Sequence, residues 1–497
     1  MRGRSGIPAA SALFRSGWDE YLNRPLKKIA LVKSEAASVE QKLYEVRKKI
    51  YPRAVTGWFA TWRVVVVLLT QLLYYGAPWL TWNGRPAVLF DLAARKFYIF
   101  ELVLFPQDFI FLAALLVISA LSLFLFTAVG GRLFCGYACP QTVYTEIFLW
   151  IERRIEGDPL KQMKLDGRPW GPRKLALKAA KHGAWIAVAF WTGLTFVGYF
   201  TPIRVLLQEL GHFGFGPWET FWVLFYGFAT YGNAGWMREQ VCKYMCPYAR
   251  FQGVMFDPDT LVITYDVKRG EPRGARSKSA DYREKGLGDC VDCGICVQVC
   301  PTGIDIRNGL QYECIGCAAC IDACDQVMDK MGYPRGLIRY STENAMAGKY
   351  PDTGILARLF RPRVLVYAGV LTAILVAFGA TLYARVPLKV NIMRDRVAMV
   401  REAADGSIEN VYRIQIINTA EHGHRYILTA SGDGDLRLLP LREVVDVAPA
   451  ATRIVAVRLR GLPREDQEGA QPVTFRVEAL DDPRLSVEER ANFMIGR

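Results

Sequence analysis

CVDCGICVQVCPTGIDIRNGLQYECIGCAACIDAC, residues 290–324, decides how much of this chain must fold. Cys290, Cys293, Cys296 and Cys300 form C-x2-C-x2-C-x3-C followed by Pro301, and after thirteen residues Cys314, Cys317, Cys320 and Cys324 repeat the spacing. Three closely spaced thiolates wrap three irons of one cubane, and the fourth iron is reached only by a remote cysteine. The fourth Cys of each run therefore serves the other cluster. The spacing predicts two 4Fe-4S clusters, one on Cys290, Cys293, Cys296 and Cys324, the other on Cys314, Cys317, Cys320 and Cys300. Asp325 stands where the first run has Pro301, a mild departure. Zinc sites favour paired C-x2-C units at wider separation, and a reducing compartment disfavours disulfides.

The remaining four cysteines form two copies of C-x-Y-x-C-P: Cys135, Tyr137, Cys139 and Pro140, then Cys242, Tyr244, Cys246 and Pro247. A spacing of i, i+4 puts both thiols on one face of a helix, and the proline opposes helix there, so an irregular turn presenting two sulfurs is expected. Such a pair is a soft-metal site favouring Cu(I), a redox dithiol, or two buried cysteines acting as small hydrophobes. Recurrence of the Tyr and Pro favours chemistry over packing.

The chain around these motifs alternates between membrane and water. Its 497 residues are 52% hydrophobic with mean hydropathy +0.12, yet 22% are charged, which calls for spans joined to soluble modules. Five stretches, about 64–82, 109–131, 182–203, 220–237 and 364–384, lack Asp, Glu, Lys and Arg over roughly the 20 residues a spanning helix needs. Lys and Arg number 12, 10 and 18 in 1–56, 132–181 and 238–363, against only Arg85, Arg95, Lys96 and Arg204 in the intervening short loops. The net charge of +14 thus records topology rather than nucleic-acid binding, with those three segments cytoplasmic. No signal peptide is expected ahead of the first apolar run near Gly57. Two hairpins in the same orientation, related by an axis along the membrane normal, would bring Cys135, Cys139, Cys242 and Cys246 together at the cytoplasmic boundary, with the 290–324 segment docked beneath them.

The expected partition is a cytoplasmic N-terminal segment (1–56), with an amphipathic helix over 38–53; a four-helix membrane region (57–256), in which Lys161–Lys181 is a basic linker; a ferredoxin-like α+β domain (257–350); a fifth span (360–386); and an outer β-sandwich (388–497). Residues 411–417, 453–460 and 473–480 alternate in polarity as strands of that sandwich, which holds no cysteine. Other candidates for chemistry are sparse. His182, His212, His422 and His424 lack a haem context, and Glu101, Asp108 and Glu219 read as span-boundary residues rather than proton relays. With no P-loop or dinucleotide fingerprint, electrons must come from another protein or from quinol.

KKIYPRAVTGWFATWR (48–63), RLFCGYACPQTVYTEIFLWIERRIEGD (132–158), CKYMCPYARFQGVMFDPDTLVITYDVKRGEPRG (242–274) and MGYPRGLIRYSTEN (331–344) together resemble the FixG/RdxA/CcoG family of accessory proteins of cbb3-type cytochrome c oxidase. The resemblance covers nearly the whole chain. It implies an immunoglobulin-like C-terminal domain and an inner-membrane cupric reductase that converts Cu(II) to Cu(I) for oxidase assembly. Cys135, Cys139, Cys242 and Cys246 match the family's membrane motifs, with copper as substrate or bound ion, and the eight ferredoxin cysteines match its cluster ligands. Oxidase subunits or copper chaperones are the implied partners, and the electron donor is unspecified. The alternatives are a quinol dehydrogenase or electron relay of the membrane polyferredoxin type, and an assembly scaffold. Residues 269–274 (RGEPRG) read only as a charged, turn-rich loop.

Overall fold

The computed structural model describes residues 49–278, 281–282, 284–350, 360–395, 400–403, 405–433, 435–440, 444–462 and 469–495. Among them, three helices are long and apolar enough to cross a membrane, within Trp58–Trp79, Pro106–Gly130 and Pro362–Tyr383. They contain α1 (Trp58–Gly76), α2 (Phe109–Gly130) and α9 (Pro362–Tyr383). After α2 come α3 (Leu133–Tyr137), α4 (Pro140–Glu156), α5 (Pro172–Val197), α6 (Pro217–Thr230), α7 (Pro247–Met255) and, in the cysteine-rich segment, α8 (Ala319–Met331).

The third and fourth expected spans are helices, but of a different kind. α5 opens on Arg173, Lys174, Lys178 and Lys181 before turning apolar. α6 has only 14 residues, about 21 Å at 1.5 Å per residue, and continues as π-helix over Tyr231–Met237. α5 nevertheless lies along α1, with Tyr74 Oη donating to the Thr192 carbonyl (3.0 Å) and Tyr199 Oη to the Tyr74 carbonyl (2.8 Å). The stretch read as a linker is not loose: Pro159 and Pro172 each begin a helix, because the first helical position needs no N–H and proline's φ suits it. Most of the expected 38–53 helix lies outside the described residues. Its end at 50–53 is not helical, Arg53 N–H donating to the Gln298 carbonyl (2.8 Å).

One end of α1 and α2 meets the cysteine-rich segment. The first N–H groups of α1 have no carbonyl within their helix; those of Phe59 and Ala60 donate to the Asp322 carboxylate on α8 (3.3 and 2.7 Å). At the same end, Arg361 and Arg363 pair with Asp257 (2.9 and 3.2 Å). At the opposite end, a small antiparallel sheet of Val88–Asp91, Lys96–Ile99 and Leu102–Leu104 packs Val103 and Phe105 onto Ile417 of the C-terminal domain. Asp108 stands at the span boundary expected for it, just ahead of α2. It is buried and paired with Arg385 (3.0 Å) and with Lys389.

The C-terminal domain is an antiparallel sandwich. One sheet runs Leu436–Leu439, Thr452–Gly461, Ile408–Asn418, Leu388–Arg394; the other runs Val444–Val447, His424–Gly432, Gly469–Ala479, Ser486–Ile495. Alternation sets the register, since a one-residue slip would turn every core side chain outward. Ile414 pairs with Val455 and Ile392, and Tyr412 meets Phe475 across the sheets at 4.9 Å between ring centroids.

Candidate functional site

The eight cysteines of 290–324 line two small cavities. Cys290, Cys293, Cys296 and Cys324 ring the first, and Cys300, Cys314, Cys317 and Cys320 ring the second, with Cys296 between them. Each run curls because one residue takes a left-handed conformation just before a helix: Gly294 (φ 64°) before Ile295–Gln298, and Ala318 (φ 59°) before α8. The antiparallel pair Val262–Tyr265 and Ile338–Ser341 covers them. Burial pushes the bare thiols up, Cys296 to about 11 and Cys314 and Cys324 to about 12, so thiolates there need a cation's charge. All-sulfur donors spaced around a cavity fit an iron–sulfur cubane, and among the described residues no three metal-ligating side chains converge on one ion.

The two C-x-Y-x-C-P motifs share one local architecture. Cys135 lies on the short α3 and Cys242 on the π-helical turn Val241–Met245; Cys139 (φ −61°, ψ 129°) and Cys246 (φ −78°, ψ 110°) are extended and cap α4 and α7. Each turn is irregular, as expected: one short helix ends ahead of the proline and the next starts on it. The second thiol of each pair thus sits at a helix N-terminus. Burial pushes Cys139 up, and the N–H groups of Gln141 and Thr142 partly offset this.

These thiols do not stand apart from the cavities. Cys135 and Cys242 pack in one apolar cluster with Ile315, Cys317 and Cys320. Burial, then Cys139, pushes Cys135 up to about 12, and burial, then Cys139 and Cys246, pushes Cys242 up to about 11. All four sulfurs are therefore electrostatic neighbours, though as they stand they do not close around one ion. Cys135 donates to Gln252 Oε1 (3.3 Å).

Contact between motif and ferredoxin segment runs through bare backbone. A Cβ on Gly136 would stand 2.7 Å from the Gly316 oxygen and 2.9 Å from Cys317 Cα. Gly136→Val is expected to destabilise this joint by about 1–3 kcal/mol, read as a lower thermal midpoint at unchanged iron content. An unchanged midpoint would mean that the backbones need not touch.

Sequence reasoning missed several groups here. Glu152 and Glu156 on α4 are buried, Glu152 between Arg238 (2.9 Å) and Lys181 (3.5 Å), Glu156 between Lys181 (3.0 Å) and Lys178 (2.9 Å). The only signal was i, i+4 spacing, which equally describes a solvated face. Beside this network a small cavity lined in part by Arg63, Glu146, Glu239 and Thr302 reaches Cys242. The RGEPRG loop has a role after all: Asp289 N–H donates to the Arg269 carbonyl (2.9 Å) and Gly274 N–H to the Cys290 carbonyl (3.2 Å), which holds the first cysteine in place. The histidines are elsewhere, His182 bonded to Tyr231 (3.0 Å) and His424 to Asp481 (2.8 Å).

Residues 237–343 match the family model of a 4Fe-4S dicluster domain, 112–157 that of a 4Fe-4S binding domain, and 378–496 that of the IG-like fold at the C-terminal of FixG. The chain is 40% identical over 470 residues to the nitrogen fixation protein FixG of Rhizobium meliloti, covering 88% of this chain and 86% of that one. It is 39% identical over 467 residues to protein RdxA of Cereibacter sphaeroides, covering 91% and 96%. Similarity to the ferredoxin-type protein NapH of Haemophilus influenzae is 26% over 215 residues, or 38% of this chain and 66% of that one. The 4Fe-4S matches span both membrane-edge motifs as well as the eight cysteines of 290–324.

Proposed function

This chain belongs to the FixG/RdxA family, and from that premise we propose that it is an inner-membrane iron–sulfur oxidoreductase that reduces Cu(II) to Cu(I) for assembly of a cbb3-type oxidase. The observation that carries this reading is the shared packing of Cys135 and Cys242 with Cys317 and Cys320, which puts soft-metal thiols against the wall of an electron-carrying site. Cys290, Cys293, Cys296 and Cys324 hold one 4Fe-4S cluster; Cys300, Cys314, Cys317 and Cys320 hold the other. Bound there, the clusters supply one-electron transfer.

The chain's own residues do the rest. Cys135, Cys139, Cys242 and Cys246 take the copper substrate, and their sulfurs favour the Cu(I) product over Cu(II). At the start of α4 the N–H groups of Gln141 and Thr142 partly offset the burial of the Cys139 thiol, and Ile315 and Val299 keep water from the joint. One electron converts one Cu(II) to one Cu(I). Topology follows the basic residues: five spans, with the N-terminus and ferredoxin segment in the cytoplasm and the sandwich in the periplasm. The sandwich is the surface for oxidase subunits or a copper chaperone.

Similarity to NapH over 38% of the chain favours a second reading, a quinol-oxidising relay. Anaerobically reduced protein in detergent, assayed with Cu(II) and a Cu(I) chelator, is expected to form Cu(I) in step with cluster oxidation. It should carry about eight irons per chain, as two cubanes require. Oxidised protein that consumes quinol while reduced protein ignores Cu(II) would replace the first reading by the second.

A further inference from the structure

A further cavity, of about 400 Å³, opens where α2 ends, and Cys314 and Gly316 form part of its wall. Phe256, Leu261 and Val262 make much of the rest apolar. Arg132, buried beside it, gives N–H groups to the carbonyls of Tyr312, Cys314 (3.4 Å) and Ala249 (2.5 Å). Arg250 and Leu310 also line the cavity and are exposed, so they mark its rim. Among the described residues no carboxylate pairs with Arg250.

The helix on one side of this rim carries an apolar outer surface. α7 lies against the last turns of α2, Phe251 stacked on Phe124 (5.8 Å between ring centroids) and Tyr248 bonded to Thr127 (2.6 Å). Phe126, Phe251 and Val254 are nevertheless exposed, and such a patch at the end of a spanning helix belongs against lipid. The cavity thus joins an apolar surface to a free cationic donor and a cluster cysteine. Its size suits one ring head group and excludes a protein donor. A phospholipid head would want several free cationic donors, but the N–H groups of Arg132 are already given to carbonyls, which leaves Arg250. A larger cavity of about 680 Å³ is walled by Phe196, Phe200, Trp218 and Trp222. It lies at the start of α6, no cysteine lines it, and Cys242 comes only after the far end of that helix.

Resting on the cluster ligation proposed above, we infer that the cavity at Cys314 is a quinol site and that a membrane quinol is the electron donor. Its head lies against a cluster ligand, and Arg250 donates to one head oxygen. Two O–H bonds break and the quinol leaves as quinone. Its two electrons load the two clusters, one each, and its two protons go to water at the rim. Cys296 lines both cysteine rings, so the second electron has a short way to travel. Hydrogen bonds and nearby charge set a cubane's potential over a range wide enough to accept electrons from quinol. Each reduced cluster then converts one Cu(II).

The test uses full-length protein in detergent, a short-chain naphthoquinol as reductant and a photoreactive azido-naphthoquinone as label, with iron counted on every sample. Labelling is expected within 250–262 or 310–316, and EPR should show both clusters reduced by one naphthoquinol per chain. Gly253 lines the cavity, and nothing lies within 4 Å of a Cβ placed there, so Gly253→Phe should fill the space without disturbing the fold. It should lose labelling and slow cluster reduction by naphthoquinol at least about tenfold, while dithionite still reduces the clusters and the reduced variant still forms Cu(I). Arg250→Gln should raise the naphthoquinol concentration needed for half-maximal rate about tenfold, as for one hydrogen bond to a charged group. Labelling at 196–226 instead, wild-type clusters that naphthoquinol leaves oxidised, or unimpaired reduction in Gly253→Phe overturns this inference alone. Naphthoquinol reduction in protein that then ignores Cu(II) would support this site and overturn the copper reading. Wild-type protein purified without iron would overturn the cluster reading and the inference with it.

Discussion

Replacing Cys139 or Cys246 by serine is expected to abolish Cu(II) reduction while leaving both ferredoxin clusters loaded. Each of these cysteines sits at the start of a helix whose first position is proline. Serine fits that position as a cap, so the fold should tolerate it. What serine lacks is softness: its hydroxyl stays protonated at neutral pH and binds Cu(I) poorly. Losing one of four sulfurs is expected to cost at least about a hundredfold, since outer-shell changes alone cost about 10–100-fold in metal sites. The readout is Cu(I) chelator absorbance per unit of reduced protein, beside an iron count equal to wild type. Full activity in both variants would remove the membrane-edge thiols from the mechanism. Lost iron would instead mean that these cysteines serve a cluster.

Asp108→Ala is expected to weaken the opposite end of the molecule by about 3 kcal/mol. Breaking a buried pair by removing one partner costs about 3–5 kcal/mol, because the remaining charge is left uncompensated. Here one carboxylate serves Arg385, Lys389 and the N–H of Phe105 (3.0 Å). The lower end of the range applies because the Lys389 side chain is 26% exposed and can turn to water. Asp108→Asn should cost less, since it keeps an acceptor. The measurement is thermal unfolding together with amide exchange at 103–108 and 385–389, and a midpoint equal to wild type with unchanged exchange would refute the bridging role.

What could be read from sequence was whatever depends on near neighbours. The ferredoxin spacing is local, because three ligands of one cubane lie within seven residues, and strands such as Ile408–Asn418 betray themselves by alternation. The ion pair that Asp108 makes was not legible, because its partner Arg385 stands 277 residues away. Glu152 and Glu156 on α4 left no signal of burial, since nothing local says that α5 brings lysines to meet them. Proline misled in the stretch read as a linker, where Pro172 starts a helix: it forbids the middle of a helix but favours its beginning. The backbone contact at Gly136 left no trace beyond the glycine itself.

The bond from Asp322 to the start of α1 links parts of the chain separated by more than 260 positions, and this gives biogenesis an order. The first hydrophobic helix leaves the ribosome long before the carboxylate that completes its leading turn. Until then its amides must be served by water at the lipid surface, and the turn frays. Completion waits for the helix that carries Cys320 and Cys324, so the leading turn of the first membrane helix is closed only once the cysteine-rich segment has been made and has docked against it.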